Sequence, residues 1–347
     1  MPDLLVTLSV SGGVSAPPVV NDAVSEVRRA LMDRPGMSAF TDDGGSWLDA
    51  AERLRRDVPV AWKVWLTAPR ERFSRTIARM PGLIRGAMAS SQVEEAHATA
   101  LDGWHLVRSV LSRVGEAELA WLVADRSMGL AESTGDRALI AASAWHLAGS
   151  YLRRGHNWES QRFAVAAARR LAQGSGPPED RALVVLWGAL HALAAEACAA
   201  AAEARVAAEL LATARTAAER IGGDAWQMFI PFGVTEYSIA RVHVAIRLGG
   251  LSEALRLAAD VDIADDYPVE RQVRYYFPLA HAHFRRGDDV AAVFTLTKAA
   301  ALSEEDLRYD WMARRCLDGL SRRGNRSVRR ELNMLLQLAD RVSGNVS

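Results

Sequence analysis

Cysteine is nearly missing from this chain: Cys198 and Cys316 are its two copies in 347 residues, and both lie inside helical patterns. Two thiols are too few for a disulfide framework or a four-ligand zinc site, and they fit a reducing, cytoplasmic setting. Net charge is missing as well. The 42 basic side chains cancel 42 acidic ones, with a sequence pI near 7.1, which removes the attraction behind non-specific nucleic-acid binding and argues against direct DNA binding. No apolar run reaches the ~18 residues that span a bilayer, and Met1 to Val20 lacks the positive n-region of a secretory signal, so neither membrane nor export is expected. No Walker loop, dinucleotide glycine motif, G-x-S-x-G or H-E-x-x-H occurs, so no cofactor is expected and no catalytic residue is assigned. Metal is not expected either. Glu94 and His97 form a single E-x-x-H that Ser91 turns into a capping box, and His281 and His283 point about 200° apart on a helix.

What the chain does contain is repetition. A glycine followed five residues later by alanine or serine recurs at Gly115 and Ala120, Gly155 and Ser160, Gly249 and Ala254, and Gly287 and Ala292, with Ala202 and Ala207 keeping the frame. Successive anchors lie 40, 47, 47 and 38 residues apart, long enough for one antiparallel helix pair and too long for a heptad. The chemistry of the pattern is geometric. Glycine at the turn takes a positive φ at little cost, and a residue larger than Ala or Ser at the small position would hold the paired helices apart.

The periodicity predicts a short helix over 22–33, capped by Asn21, a linker over 34–46, and an almost wholly helical chain from Trp47. The expected hairpins are 47–66 with 70–89, 92–114 with 116–133, 137–153 with 157–173, 180–202 with 204–221, 225–248 with 251–261, 267–286 with 288–302, and 304–321 with 326–342. Gly135-Asp136 reads as a helix stop and N-cap, Ser303 with Asp306 as a capping box, and Gly174 to Pro178 as a loop between hairpins. The organisation expected is a lead-in over 1–45 and one helical-repeat domain over 46–343. The fold expected is an all-α, tetratricopeptide-like α-α superhelix, a solenoid of about seven hairpins.

Trp104 to Arg126, Ala144-Trp145-His146-Leu147-Ala148, Gly188-Ala189-Leu190-His191, Phe232-Gly233-Val234-Thr235 and Leu279-Ala280-His281-Ala282 to Gly287-Asp288 resemble the C-terminal tetratricopeptide-like domain of bacterial helix-turn-helix transcriptional regulators of the Cro/repressor type. The likeness covers roughly residues 22–321. It implies repeats that sense a ligand or partner and mediate oligomerisation, including a homodimer. In that family a small DNA-binding domain precedes the repeats, and the stretch before Trp47 lacks its compact multi-helix pattern. Where similar regulators carry a Phe-Gly-Pro-Thr-Asn-like run, this chain has Val234 and Glu236 at the third and fifth positions.

Ten tryptophans are many for this length, and most are expected in core and inter-hairpin packing. The candidate ligand-binding residues are Trp187, Trp226, Phe229, Phe232, Glu236, Tyr237 and His243, because they gather around the alanine-rich fourth hairpin, where side-chain volume is missing. Pro231 is read either as a bend inside the helix that follows or as the loop ending a short one. Glu236 and His243, seven apart on one helical face, with Tyr237, form a possible acid/base set. The arginines between Arg314 and Arg330 read as a solvated helix end or as a surface for acidic partners or phosphates. Leu332, Leu335, Leu336 and Ala339 would cap the array or pair with a second subunit.

Together these observations support a non-enzymatic sensor or interaction protein, regulatory in role, taking a small molecule or peptide in a concave groove. The alternatives are an enzyme of specialised metabolism built on a repurposed binder, and a scaffold. A closed aromatic pocket with convergent ionisable groups would point to the enzyme, an open polar groove to a peptide adaptor, and a closed pocket without such groups to a sensor.

Overall fold

The computed structural model describes residues 18–32, 47–68, 72–172 and 176–340. Among them helix is nearly the only regular structure, so the chain is all-α. The expected linker over 34–46, most of the Met1–Val20 lead-in and part of the Gly174–Pro178 loop lie outside the described residues.

One turn, used five times, gives the repeat its physical basis. It joins α5 (His97–Arg113) to α6 (Ala117–Thr134), α7 (Arg137–Arg153) to α8 (Asn157–Leu171), α9 (Arg181–Ala200) to α10 (Ala204–Ile221), α11 (Val234–Arg247) to α12 (Leu251–Ala259), and α13 (Val269–Arg285) to α14 (Asp289–Leu302). At each junction the anchor residue has positive φ, from 61° at Ala202 to 90° at Gly115. The next residue donates its N–H five residues back: Glu116 to Leu111, His156 to Tyr151, Glu203 to Cys198, Gly250 to Ala245 and Asp288 to His283. That bond is the signature of a Schellman ending, and it reverses the chain within three residues. Ala120, Ser160, Ala207, Ala254 and Ala292, the small positions of the frame, are all buried.

The first helices of these pairs form an inner row. α5, α7, α9, α11 and α13 each pack on the next, α2 (Trp47–Thr67) packs on α5, and α13 reaches α2, so the row returns on itself. Contacts between the ends of the chain hold this closure. The backbone N–H of Phe73, in α3 (Arg72–Ile77), donates to the Glu305 carboxylate at 2.8 Å. Arg113 donates to Asp306 of α15 (Glu304–Tyr309) at 2.5 Å and to Asp310, the N-cap of α16 (Trp311–Arg323), at 3.0 Å.

Several local expectations change. α1 (Pro18–Met32) is packed in, burying Val24, Val27 and Leu31 beside α4 (Met80–Ser90). The second helix of the first hairpin breaks at Ala78–Arg79, with Pro81 in the first turn of α4, where a missing N–H costs nothing. Ser91 does not box Glu94: its hydroxyl donates to the Ala87 carbonyl and accepts from Trp104 Nε1. The Asp136 and Ser303 caps are present, the latter accepting from the Asp306 N–H at 3.3 Å. α17 (Arg329–Asp340) buries Leu332, Leu335 and Ala339 against α14, α15 and α16, so its apolar face is occupied within the chain. Arg314, the first of the expected arginine run, and Arg308 before it donate to carbonyls in the last turn of α17.

The largest difference lies at 224–233. The expected helix from 225 is instead a β-hairpin, β1 (Asp224–Gln227) antiparallel to β2 (Ile230–Gly233), and α11 begins only at Val234. Pro231 therefore sits in a strand opposite Trp226, so it neither bends a helix nor ends one in a loop. β2 packs on α9 because Gly188 leaves it room. A Cβ at Gly188 would come within 2.2 Å of the Phe232 ring. By length and composition α9 is apolar enough to cross a membrane, but 83% of that apolar window is buried among its neighbours.

Candidate functional site

The inner helices carry much of the molecule's buried charge, and most of it is organised into pairs. Glu236, in the first turn of α11, accepts from Tyr267 Oη at 2.8 Å and from Arg271 Nε at 2.8 Å, and its other oxygen takes a second bond from Arg271. All three residues are buried. Burial, then the Glu236 charge, pushes the Tyr267 hydroxyl well above its usual range. Burial opposes the Arg271 charge, but the carboxylate overcomes it and holds the guanidinium firmly cationic.

A second group joins α9 to α11. His243 Nδ1 lies 3.2 Å from Glu196 Oε1, and Arg247 approaches the other oxygen at 3.4 Å. Burial would raise the Glu196 pKa, yet His243, Arg247 and Arg274 together hold it below the usual carboxylate range. The carboxylate can only accept, so Nδ1 carries the proton at this contact and Nε2 is left buried without a partner.

A third group lies on α5 and α7. His105 and His146 stack at 4.1 Å with planes 20° apart, and His105 Nε2 is 3.0 Å from Ser143 Oγ. Burial, with Arg108 adding its charge, lowers His105 to about 3 and His146 well below its ordinary value, so both rings are neutral at physiological pH. Among the described residues neither ring nitrogen of His146 has a hydrogen-bond partner.

A small cavity of about 30 Å³ lies where the first two groups meet, room for one or two water molecules. Trp145, Ala189, Ala192 and Leu193 form its apolar wall, Pro231 and Phe232 of β2 close one side, and Glu196, Glu236, His243, Arg271 and Arg274 supply its polar groups.

Of the seven ligand-binding candidates, Phe232, Glu236 and His243 line this cavity. The other four point elsewhere. Trp187 is buried in the core with its ring 4.5 Å from His191, and Trp226 is exposed with its ring 6.3 Å from Tyr267. Phe229 leaves the hairpin tip for Trp62, and half-buried Tyr237 packs at the core edge beside Arg241. Glu236 and His243 share a face but have different partners, so they do not form one acid/base set with Tyr237. Sequence reasoning missed Glu196, Tyr267, Arg271 and Arg274, which no local spacing links to α11. Among the described residues no three His, Cys, Asp or Glu side chains converge as metal ligands.

No family model matches the chain, and no curated protein matches it.

Proposed function

We propose that this chain is a tetratricopeptide-like superhelix of about seven hairpins that acts as a non-enzymatic regulatory sensor for a small molecule, bound inside its inner row of helices. The five identical turns and their buried small residues support the superhelix. One observation carries the function. A cavity with an aromatic and aliphatic wall meets convergent polar groups, most of them held in place by one another, as in a site preorganised to orient a guest. Convergent ionisable groups were the mark of an enzyme, but here Glu236, Arg271 and Tyr267 neutralise one another and leave no free acid or base among themselves. The small volume, about 30 Å³, disfavours a peptide adaptor, whose ligand needs a long groove. Balanced charge leaves direct DNA binding out of this reading.

At its present size the cavity admits only water, so binding a guest requires a wall to move. The β-hairpin is that wall. Pro231 and Phe232 are its contribution, and the strands are joined by a two-residue turn in which Met228 and Phe229 both hold positive φ, 50° and 61°. Such a conformation costs a non-glycine residue free energy and is retained only where contacts offset it. The test is a thermal-shift screen of amphipathic small molecules and short peptides on the wild type and on Ala192→Phe, which fills the cavity. A small molecule that raises the midpoint of the wild type alone supports the reading; binding that survives Ala192→Phe, or a response confined to peptides, overturns it.

One observation favours a second reading, an enzyme. Glu196 orients His243 through Nδ1 and leaves Nε2 unpartnered at the cavity, the arrangement of a carboxylate-positioned general base. Its mark would be turnover of a bound small molecule that His243→Gln abolishes without loss of binding.

A further inference from the structure

The cations that the pairs above leave over are arranged around α7: Arg108 reaches its Ser150, Arg153 follows Ser150 by one turn, and Arg274 lines the cavity together with its Trp145. Arg108, Arg153 and Arg274 make no ion pair among the described residues, whereas Arg271, Arg247 and Arg113 all do. Arg108 is buried on α5, and its Nε donates to Ser150 Oγ of α7 at 2.9 Å. α7 admits this side chain because residue 149 is glycine. A Cβ there would stand 2.7 Å from Arg108 Nη2. Burial, followed by the charges of Arg153 and Arg274, destabilises the cationic form of Arg108. Glu270, itself 3.8 Å from Arg271, is the acid whose charge acts on all three, with Asp310 adding to it at Arg153 and Glu196 and Glu236 at Arg274. Beside the cluster the neutral His146 ring carries one N–H, and neither of its nitrogens has a partner among the described residues, so it can donate to an anion.

Arg108 is a buried cation with no ion pair among the described residues, Arg274 is half-buried and Arg153 exposed; such a buried cation is unfavourable, and a guanidinium fork is shaped to grip a planar or tetrahedral oxyanion. We infer that the interior binds its small molecule through an oxyanion group, a carboxylate or a phosphate, held between Arg108, Arg153 and Arg274. The inference rests on the reading of the interior as a ligand site and adds the chemical class of the guest. Arg153 is exposed and gives the anion its way in, and Arg274 also lines the cavity, so the rest of the molecule lies along Ala189, Ala192 and Leu193.

The experiment titrates the full chain with inorganic phosphate and, separately, with succinate, each against sodium chloride of equal ionic strength, following the thermal midpoint and the heat of binding. One or both oxyanions should raise the midpoint beyond the chloride control, phosphate alone marking a phosphorylated guest and succinate alone a carboxylate. Arg153→Gln and Arg274→Gln should each weaken that response by about tenfold or more, the value of one charge-assisted contact. Arg108→Met should abolish the response while raising the midpoint of the unliganded protein, because it removes an unpaired buried cation. If Arg108→Met fails to fold, Arg153→Gln, at an exposed position, carries the test. Oxyanions that do no more than chloride, or a response unchanged in the variants, overturn the inference. A small molecule that needs the Ala192 cavity but ignores all three arginines overturns it while leaving the sensor reading intact.

Discussion

Phe229, at the tip of the β-hairpin between α10 and α11, stacks face to face on Trp62 of α2, with ring centroids 4.7 Å apart and planes 6° from parallel. The two residues are far apart in the chain: Trp62 lies on α2, and the hairpin that carries Phe229 packs on α9, three steps from α2 in a cycle of six helices. The hairpin therefore straps one side of the ring to the other. Trp62 is itself fixed, its Nε1 donating to the Asp102 carbonyl at 3.0 Å.

Removing the strap's anchor tests whether it is the movable wall. Phe229→Ala loses a stacked pair worth about 0.5–1.5 kcal/mol beyond its buried area and leaves the strained turn with less to offset it. The thermal midpoint should fall modestly, and limited proteolysis should cut within 227–230 faster than in the wild type. Unchanged cleavage would show that the stack does not hold the hairpin down.

Ala202 occupies the one repeat turn without glycine, at φ 61°. Ala202→Gly relieves the left-handed strain but adds unfolded-chain entropy, for a net gain of up to about 1 kcal/mol. Urea denaturation should show a higher midpoint with an unchanged slope. The opposite change at Gly249 or Gly287, to alanine, should lower it.

Glu236→Gln is expected to weaken more than ligand binding. It leaves Arg271 buried without its carboxylate, a loss of about 3–5 kcal/mol for a broken buried pair. Replacing both partners, Glu236→Leu with Arg271→Met, should recover much of that stability. Chemical denaturation of the single and double variants makes the comparison.

Asp102 gives the pH dependence. Burial raises its carboxyl to about 7, and Oδ1 has no hydrogen-bond partner among the described residues. Because the folded-state pKa lies above the unfolded value near 3.9, the folded protein holds this proton more tightly. Stability from this group is full below about pH 4 and is lost as pH rises to 7. Asp102→Asn should therefore stabilise by about 1–3 kcal/mol at pH 8 and by little at pH 4. A gain independent of pH would show that the aspartate is not the titrating group.

The sequence by itself determined the local grammar of this protein. Gly115, Gly155, Gly249 and Gly287 end their helices in the left-handed turn they announce, Ala202 follows because its neighbours share the frame, and Asp136 and Ser303 cap where they stand. These outcomes depend on a few consecutive residues and on the strong backbone preferences of glycine and of short polar side chains. That Phe232, Glu236 and His243 line one cavity was legible because a gap in side-chain volume can be seen in an alanine-rich helix. Their partners were not. Glu196 meets His243 across 47 positions and Arg271 meets Glu236 across 35, and no local pattern records which helix faces which. The strand at Pro231, read as a bend in a helix or a loop ending one, and the return of α13 to α2 were likewise settled by packing: Phe232 enters the space Gly188 leaves, and the closure brings α13 onto α2 and pairs Arg113 of α5 with Asp306 and Asp310, burying surface that an open row would leave in water.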